Sequence, residues 1–256
     1  MDLHPLIDEI LTTGKAELPD GTLVAADSYI VRAECELVYR AVAAAEAHAA
    51  VEIGMAYGVS SLCIADALVR TARGDPSPSP CLTSIDPHQT TQWHRAGLHL
   101  VQRAGLGQFL KLIEQPSQIA LPRLVEAGER LRFALIDGWH TFDHTLVDFF
   151  FVDLLLEPGG IVVFDDVGYP AVAAVVRFVL ANRNYEVFEA LPIDVRASGS
   201  LPARRAVKRM LRPLARTDRD PSPASEQRFR EVENAFAVAL RKSSDDARRF
   251  DHFERF

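Results

Sequence analysis

The sequence predicts an α/β fold in which helices cover a parallel, doubly wound sheet. Short apolar segments that suit buried strands alternate along the chain with longer segments of helical periodicity. Two of the apolar segments, residues 133–136 and 161–164, end directly in aspartates, and a glycine-containing turn at residues 54–58 joins another strand to a helix. Strict alternation of strand and helix favours right-handed crossovers between parallel strands.

Six strands and five helices are predicted in alternation. Runs of apolar residues place the strands at residues 49–52, 82–85, 109–113, 133–136, 161–164 and 185–190. Apolar residues at helical spacing place the helices at residues 60–69, 90–104, 117–127, 141–156 and 170–182. Proline and glycine mark the boundaries, because residues 74–80 are rich in Pro and Ser, Glu157-Pro-Gly-Gly160 stops the fourth helix, and Pro170 suits the start of the fifth.

The remaining segments are predicted to complete a single domain of 256 residues. Residues 1–47 should form a helical cap, with helices at 4–17 and 26–47, ahead of a ligand-binding core at residues 48–190. Residues 198–225 are predicted to be an irregular, basic insertion before the last strand, and residues 226–256 a last helix or strand and a tail. The basic stretch 201–216 suits a lid, a membrane-surface contact or an oligomer contact, but its composition favours a solvated insertion.

Composition excludes several classes of protein. The formal net charge of -7, from 28 basic and 35 acidic residues, argues against a general nucleic-acid binder, which needs a basic surface. Three scattered cysteines without metal or disulfide spacing indicate a reducing compartment, so we expect a cytoplasmic protein. We expect neither a secretion signal nor a membrane span, because no apolar run approaches the required length.

Acidic residues and a histidine follow two of the predicted strands. Asp137 and His140 come after the fourth strand, and Asp165 and Asp166 after the fifth. The carboxyl ends of parallel strands meet at one edge of the sheet, where ligands bind in open α/β proteins. Three carboxylates in close quarters repel one another unless a cation lies between them, which favours a divalent metal ion.

The first predicted strand leads into the turn Glu52-Ile-Gly54-Met-Ala-Tyr57-Gly58-Val-Ser60. This turn lacks the third glycine of the usual dinucleotide fingerprint, so it predicts either an anion-binding loop or an ordinary strand-to-helix connection. Asp86 ends the second strand, where an acid commonly binds ribose hydroxyls, although an aspartate before a proline can also cap a helix.

Taken in order, these motifs resemble class I S-adenosylmethionine-dependent methyltransferases. The resemblance covers roughly residues 30–190 and is closest to O-methyltransferases that act on sugars of natural products, the macrocin and mycinamicin type, with catechol-type enzymes more distant. It implies a Rossmann-like methyltransferase sheet with residues 48–190 as the cofactor-binding core. The implied cofactor-binding residues are Glu52, Gly54, Tyr57, Gly58, Ser60, Asp86, Gln115, Ser117 and Asp137.

The resemblance also implies a metal site and a base. Asp137, Asp165 and Asp166 match the metal-binding acids of the family, with Mg²⁺ as the expected ion, and His140 matches a histidine proposed as general base. Alternatives remain, because His140 at a helix N-terminus can simply hydrogen-bond locally, and Asp166 can simply form a turn. Trp139, where relatives have a small or acidic residue, either walls the substrate site or packs.

The implied activity is metal-assisted O-methylation of a small hydroxylated molecule, such as a sugar or another natural product. A hydroxyl is a poor nucleophile until its proton leaves, and a histidine with a pKa of about 6.5 can accept that proton near neutral pH. The competing hypotheses are a nicotinamide-dependent oxidoreductase and a cofactor-binding protein without catalysis. A homo-oligomer is a further expectation, since helical caps often mediate pairing.

Overall fold

The structure is a computed structural model that describes residues 2–72, 81–193, 223–249 and 251–256. The N-terminal elements are α1 (Pro5–Thr13), β1 (Lys15–Glu17), β2 (Leu23–Ala25) and α2 (Arg32–Ala44). The first half of the core comprises β3 (Ala50–Ile53), α3 (Val59–Thr71), β4 (Leu82–Ile85), α4 (Ala96–Arg103), β5 (Leu110–Ile113) and α5 (Ser117–Glu126). The second half comprises β6 (Leu131–Ile136), α6 (Phe142–Leu155), β7 (Leu156–Phe164), α7 (Pro170–Asn182), β8 (Tyr185–Pro192), α8 (Pro223–Glu231) and β9 (Ala235–Lys242).

Seven strands form the central sheet, in the order β5-β4-β3-β6-β7-β9-β8. Neighbouring strands are parallel from β5 to β7, whereas β9 is antiparallel to both β7 and β8. The predicted α/β fold with a doubly wound sheet is therefore confirmed. The strand order reverses between β3 and β6, which opens a crevice at the carboxyl ends of these strands where ligands bind in such sheets.

Both faces of the sheet are buried, which explains the nearly continuous apolar runs of the sequence. Phe133 and Leu135 of β6 pack into a core cluster with α1, α2, α3 and α4. Ala134 and Ile136, which point to the other face, pack with α5, α6 and α7. Because the central strands β3 and β6 are covered on both faces, the residues at their ends are held in fixed positions.

The predicted N-terminal helices are wrong in extent. The helix expected at 4–17 ends at Thr13, because Gly14 adopts a left-handed conformation with φ of 64° and its N–H donates to the carbonyl oxygen of Ile10. Residues 15–25 instead form the antiparallel hairpin β1–β2. The helix expected at 26–47 is shorter and spans Arg32–Ala44.

Three boundaries in the core also differ from prediction. The helix expected at 90–104 begins only at Ala96, because His94 and Arg95 have positive φ values of 50° and 60°. Residues 157–160 do end the helix, yet they lie within β7 at a register shift against β6. Most of the predicted 198–225 insertion, with its basic stretch, lies outside the described residues, and Pro223 already begins α8.

No described helix combines the length and the apolar character that a membrane crossing requires.

Candidate functional site

Asp137, His140 and Asp166 converge at the carboxyl ends of β6 and β7. The His140 Nε2 atom lies 3.2 Å from Asp137 Oδ1 and 3.4 Å from Asp166 Oδ2. One side-chain donor atom from each of the three residues lies within 4.8 Å of the other two. The backbone fixes this arrangement, because the Asp137 N–H donates to Ile53 O of β3 and the Asp165 N–H donates to Ile136 O of β6.

The turn after β7 orients the acid pair Asp165-Asp166. Asp166 adopts the left-handed conformation, with φ of 53°, which aspartate tolerates better than most residues. The Asp165 carboxylate accepts a hydrogen bond of 2.6 Å from the Asp166 N–H, so one of its oxygens stabilises the turn itself. Two of the three predicted metal-binding acids thus lie with His140 in the three-residue group, and Asp165 supports the turn beside them.

The electrostatics of the group follow from burial and from the closeness of its acids. Burial, followed by the negative charge of Asp165, raises the pKa of Asp137 to about 8. The hydrogen bond with Asp137 raises the pKa of His140, although burial opposes this change. The carboxylate oxygens of Asp137 and Asp166 lie close enough to each other to serve as oxygen ligands of one divalent cation beside His140.

The predicted glycine turn lies directly beside this group. A Cβ atom on Gly54, which has φ of 90°, would lie 2.0 Å from the carbonyl oxygen of Asp137. A Cβ atom on Gly58, which has φ of 83°, would lie 2.6 Å from the Cα atom of Gly97 in α4. Glycine is therefore required at both positions, because another backbone segment approaches closely. The turn contacts Asp137 on one side and α4 on the other.

The Asp86 carboxylate is buried and binds the glycine turn from the neighbouring strand. One oxygen accepts hydrogen bonds from the backbone N–H groups of Met55 and Ala56, at 3.1 and 2.9 Å, and from the Gln89 side chain at 3.1 Å. The other accepts from the His88 N–H at 2.8 Å. A ribose at this carboxylate would share or replace these donors, so its role as a ribose ligand stays a prediction.

Glu52 points into the protein interior. Its carboxylate accepts hydrogen bonds from the hydroxyls of Ser61 and Ser84, the latter at 2.5 Å, and burial raises its pKa to about 7. Ser60, the next predicted contact, is also buried, and its hydroxyl acts against the rise in the pKa of Glu52. Tyr57 is partly exposed and packs edge-to-face on Trp93, with ring centroids 5.2 Å apart.

The predicted cofactor-binding residues Gln115 and Ser117 lie after β5, at the same edge of the sheet. The Gln115 carbonyl accepts a hydrogen bond from Arg123 at 2.7 Å. The Ser117 side chain opposes the rise in the pKa of Asp148, a buried residue of α6 that sequence reasoning missed. An acid inside an otherwise apolar helix was the signal that could have indicated Asp148.

Tyr169 is the second residue that sequence reasoning missed. Its ring lies nearly parallel to the imidazole of His140, with 5.4 Å between centroids and 10° between planes. The neighbouring Trp139 is 64% exposed and does not pack into the core. Position alone, a few residues after the acid pair, was the available signal for Tyr169.

Comparison with known proteins agrees with this geometry. Residues 51–167 match a family described as a methyltransferase domain. Among curated protein sequences, none is significantly similar to the chain. The matched range contains the glycine turn and Asp86. It also contains Asp137, His140 and the acid pair Asp165-Asp166, so the family match covers the candidate site.

Solved structures of methyltransferases share the fold. The O-methyltransferase TomG from Streptomyces achromogenes, solved with S-adenosylmethionine, aligns with a TM-score of 0.51 and 22% identity over 62% of this chain and 73% of its own. An O-methyltransferase from Bacillus cereus, in complex with S-adenosylhomocysteine, gives a TM-score of 0.55 and 17% identity over 73% and 84%. The S-adenosylhomocysteine-bound Podospora anserina methyltransferase PaMTH1 aligns with a TM-score of 0.54 and 18% identity, over 74% of this chain and 84% of its own. The match over residues 51–167 is therefore to a methyltransferase domain, and the solved structures show that this chain shares the methyltransferase fold.

Proposed function

We propose that the protein transfers a methyl group from S-adenosylmethionine to a hydroxyl of a small molecule, a sugar-containing or other natural product, with help from a divalent cation. The observation that carries this proposal is the convergence of Asp137, His140 and Asp166 beside the glycine turn. The cofactor-binding residues expected from the sequence lie on, or within a few residues after, the strands β3, β4, β5 and β6. A cytoplasmic location and a homo-oligomer remain accompanying proposals.

The residues divide the chemistry between them. Asp137, Asp165 and Asp166 would hold the cation, expected to be Mg²⁺, which when bound makes a coordinated hydroxyl more acidic. His140 accepts the proton of the substrate hydroxyl, and the carboxylates at 3.2 and 3.4 Å from Nε2 stabilise the imidazolium that results. The glycine turn orients the cofactor so that the methyl group moves in line from sulfur to oxygen, a reaction served chiefly by positioning.

Cofactor binding is tested by calorimetric titration with S-adenosylmethionine, S-adenosylhomocysteine and NAD, each with and without Mg²⁺. We expect micromolar affinity for the first two ligands and none for NAD. Methyl transfer is then tested with isotopically labelled cofactor and a panel of glycosides, phenols and simple diols. If the sulfonium cofactor does not bind, the proposed function fails whatever the panel shows.

Site-directed variants separate cofactor binding from chemistry. We expect Asp137→Ala and Asp165→Ala to abolish cation-dependent methyl transfer and to change the affinity for S-adenosylhomocysteine by less than about tenfold. Asp86→Ala should mainly lower the affinity for the cofactor. It removes the acceptor of the backbone N–H groups in the glycine turn, as well as any contact with the ribose. An equal loss of cofactor affinity in all three variants would contradict this division of roles.

A further inference from the structure

The turn that carries the acid pair also carries an aromatic ring that contacts His140. The Tyr169 N–H donates to the carbonyl oxygen of Asp166 at 2.9 Å, which ties the position of Tyr169 to that of the acids. The Tyr169 ring then stacks on the imidazole of His140, with 5.4 Å between centroids and 10° between planes. These values are typical of an offset aromatic stack. One turn after β7 therefore contacts His140 twice, through a carboxylate at its edge and through a ring on its face.

His140 needs such support because of where it lies. It occupies the loop between β6 and α6, and its side chain is 34% exposed. The torsion that turns an imidazole ring is broad and nearly two-fold, so an unsupported ring can rotate its nitrogens away from their partners. A ring stacked flat against its face opposes that rotation, since turning the imidazole would drive its edge into the tyrosine.

We propose that Tyr169 is a positioning residue that acts through His140, an inference that rests on the proposed function. Its stacked ring holds the imidazole in the plane in which Nε2 faces Asp137 and Asp166, and so keeps the proton acceptor aligned with the cation-binding acids. The ring performs this task, and the hydroxyl is dispensable, because no described residue forms a hydrogen bond with that hydroxyl.

A purely structural role predicts a different behaviour. Tyr169 is 47% exposed, so its removal uncovers little core and should cost little stability. Its stacking partner, in contrast, is the residue on which the proposed chemistry depends. The consequence of losing the ring should therefore appear in the state of His140 and in turnover, with the free energy of unfolding nearly unchanged.

The test compares Tyr169→Ala with the conservative variant Tyr169→Phe and with Phe253→Ala, a control that removes another exposed aromatic, at 68%, from the C-terminal tail. Long-range proton–nitrogen spectra of the histidine rings report the orientation and hydrogen bonding of His140, assigned with a His140→Ala variant. We expect Tyr169→Phe and Phe253→Ala to leave the His140 signals unchanged and Tyr169→Ala to shift and broaden them.

Turnover with the best acceptor from the panel gives the second readout. Tyr169→Ala should lower kcat by about two- to tenfold, the range expected for loss of an aromatic stack, with an unchanged affinity for S-adenosylhomocysteine, and Tyr169→Phe should restore the wild-type rate. Unaltered His140 signals in Tyr169→Ala would overturn the proposal, and so would a Tyr169→Phe variant as impaired as Tyr169→Ala. A failure of the proposed function would appear separately, as an absence of S-adenosylhomocysteine binding in the wild type.

Discussion

Helix α6 carries two buried aspartates whose surroundings differ. Asp153, near its C-terminal end, lies 3.3 Å from Lys242 Nζ and 3.6 Å from Arg183 Nε, and accepts a 2.7 Å hydrogen bond from the Tyr185 hydroxyl. Asp148, towards the ligand-binding edge of the sheet, is 2% exposed and has a side-chain oxygen without a hydrogen-bond partner. The first acid is compensated by cations, whereas the second is not.

The difference separates the stabilising edge of the sheet from the functional edge. At the amino ends of the strands, burial of Asp153 is offset by Lys242, which also donates to the carbonyl oxygens of Asp153 and Leu156 at 2.7 and 2.9 Å. At the carboxyl ends, burial raises the pKa of Asp148 to about 6 and that of Asp137 to about 8. The fold thus accepts an electrostatic cost at the edge where we propose that a cation and a cofactor bind.

The largest expected effect comes from breaking the compensated cluster. Lys242→Ala leaves the buried Asp153 with less cationic compensation, and loss of one partner of a buried ion pair typically costs about 3–5 kcal/mol. Urea unfolding monitored by circular dichroism should show this loss in the free energy of unfolding. Lys111→Ala, which removes an exposed lysine of β5, is the matched control and should change that free energy by less than about 0.5 kcal/mol. A small effect of Lys242→Ala would mean that the cluster is not a source of stability.

Replacing the uncompensated acid Asp148 should raise the free energy of unfolding, whereas Lys242→Ala lowers it. The folded-state pKa of Asp148, about 6, lies above the usual value of 3.8, so the folded protein binds more protons than the unfolded chain between these values. Stability is then lost as the pH rises through this window, and the full penalty remains above it. Asp148→Asn carries no such charge. Its free energy of unfolding should match that of the wild type below about pH 4 and exceed it by up to about 3 kcal/mol above about pH 6.

Unfolding curves collected from pH 4 to pH 8 measure this difference. Asp143→Asn is a suitable control, since Asp143 is an exposed acid at the start of the same helix. A stability difference between Asp148→Asn and the wild type that stays constant with pH would show that charge burial is not its cause.

The sequence predicted those features of the two edges that depend on local patterns of apolar and acidic residues. Buried parallel strands require apolar runs, so the core strands and the acids that follow β6 and β7 could be located from the sequence. The position of β9 between β7 and β8 could not, because it depends on pairing between distant strands. The ion cluster around Asp153 was hidden for the same reason, since Lys242 lies 89 positions along the chain.

Side-chain direction was the second limit of sequence reasoning. The position of Glu52 before the glycine turn is correct, but the sequence does not reveal that its carboxylate turns inward to Ser61 and Ser84. The late start of α4 likewise follows from the positive φ values of His94 and Arg95, which the apolar pattern does not indicate. The stack of Tyr169 on His140 also arises from the path of a turn.

The smallest expected effect tests whether a cation supplies the compensation that the functional edge lacks. A ligand that binds only the folded protein stabilises it by about 1.4 kcal/mol at ten times its dissociation constant. Mg²⁺ or Mn²⁺ should therefore raise the midpoint of thermal unfolding of the wild type, and a chelator should reverse the change. Asp137→Asn removes a carboxylate of the three-residue group and should abolish the response, whereas Asp148→Asn leaves that group intact and should retain it. An equal response in Asp137→Asn would place the cation elsewhere, and the raised pKa of Asp137 would then reflect burial among acids without a bound ion to relieve it.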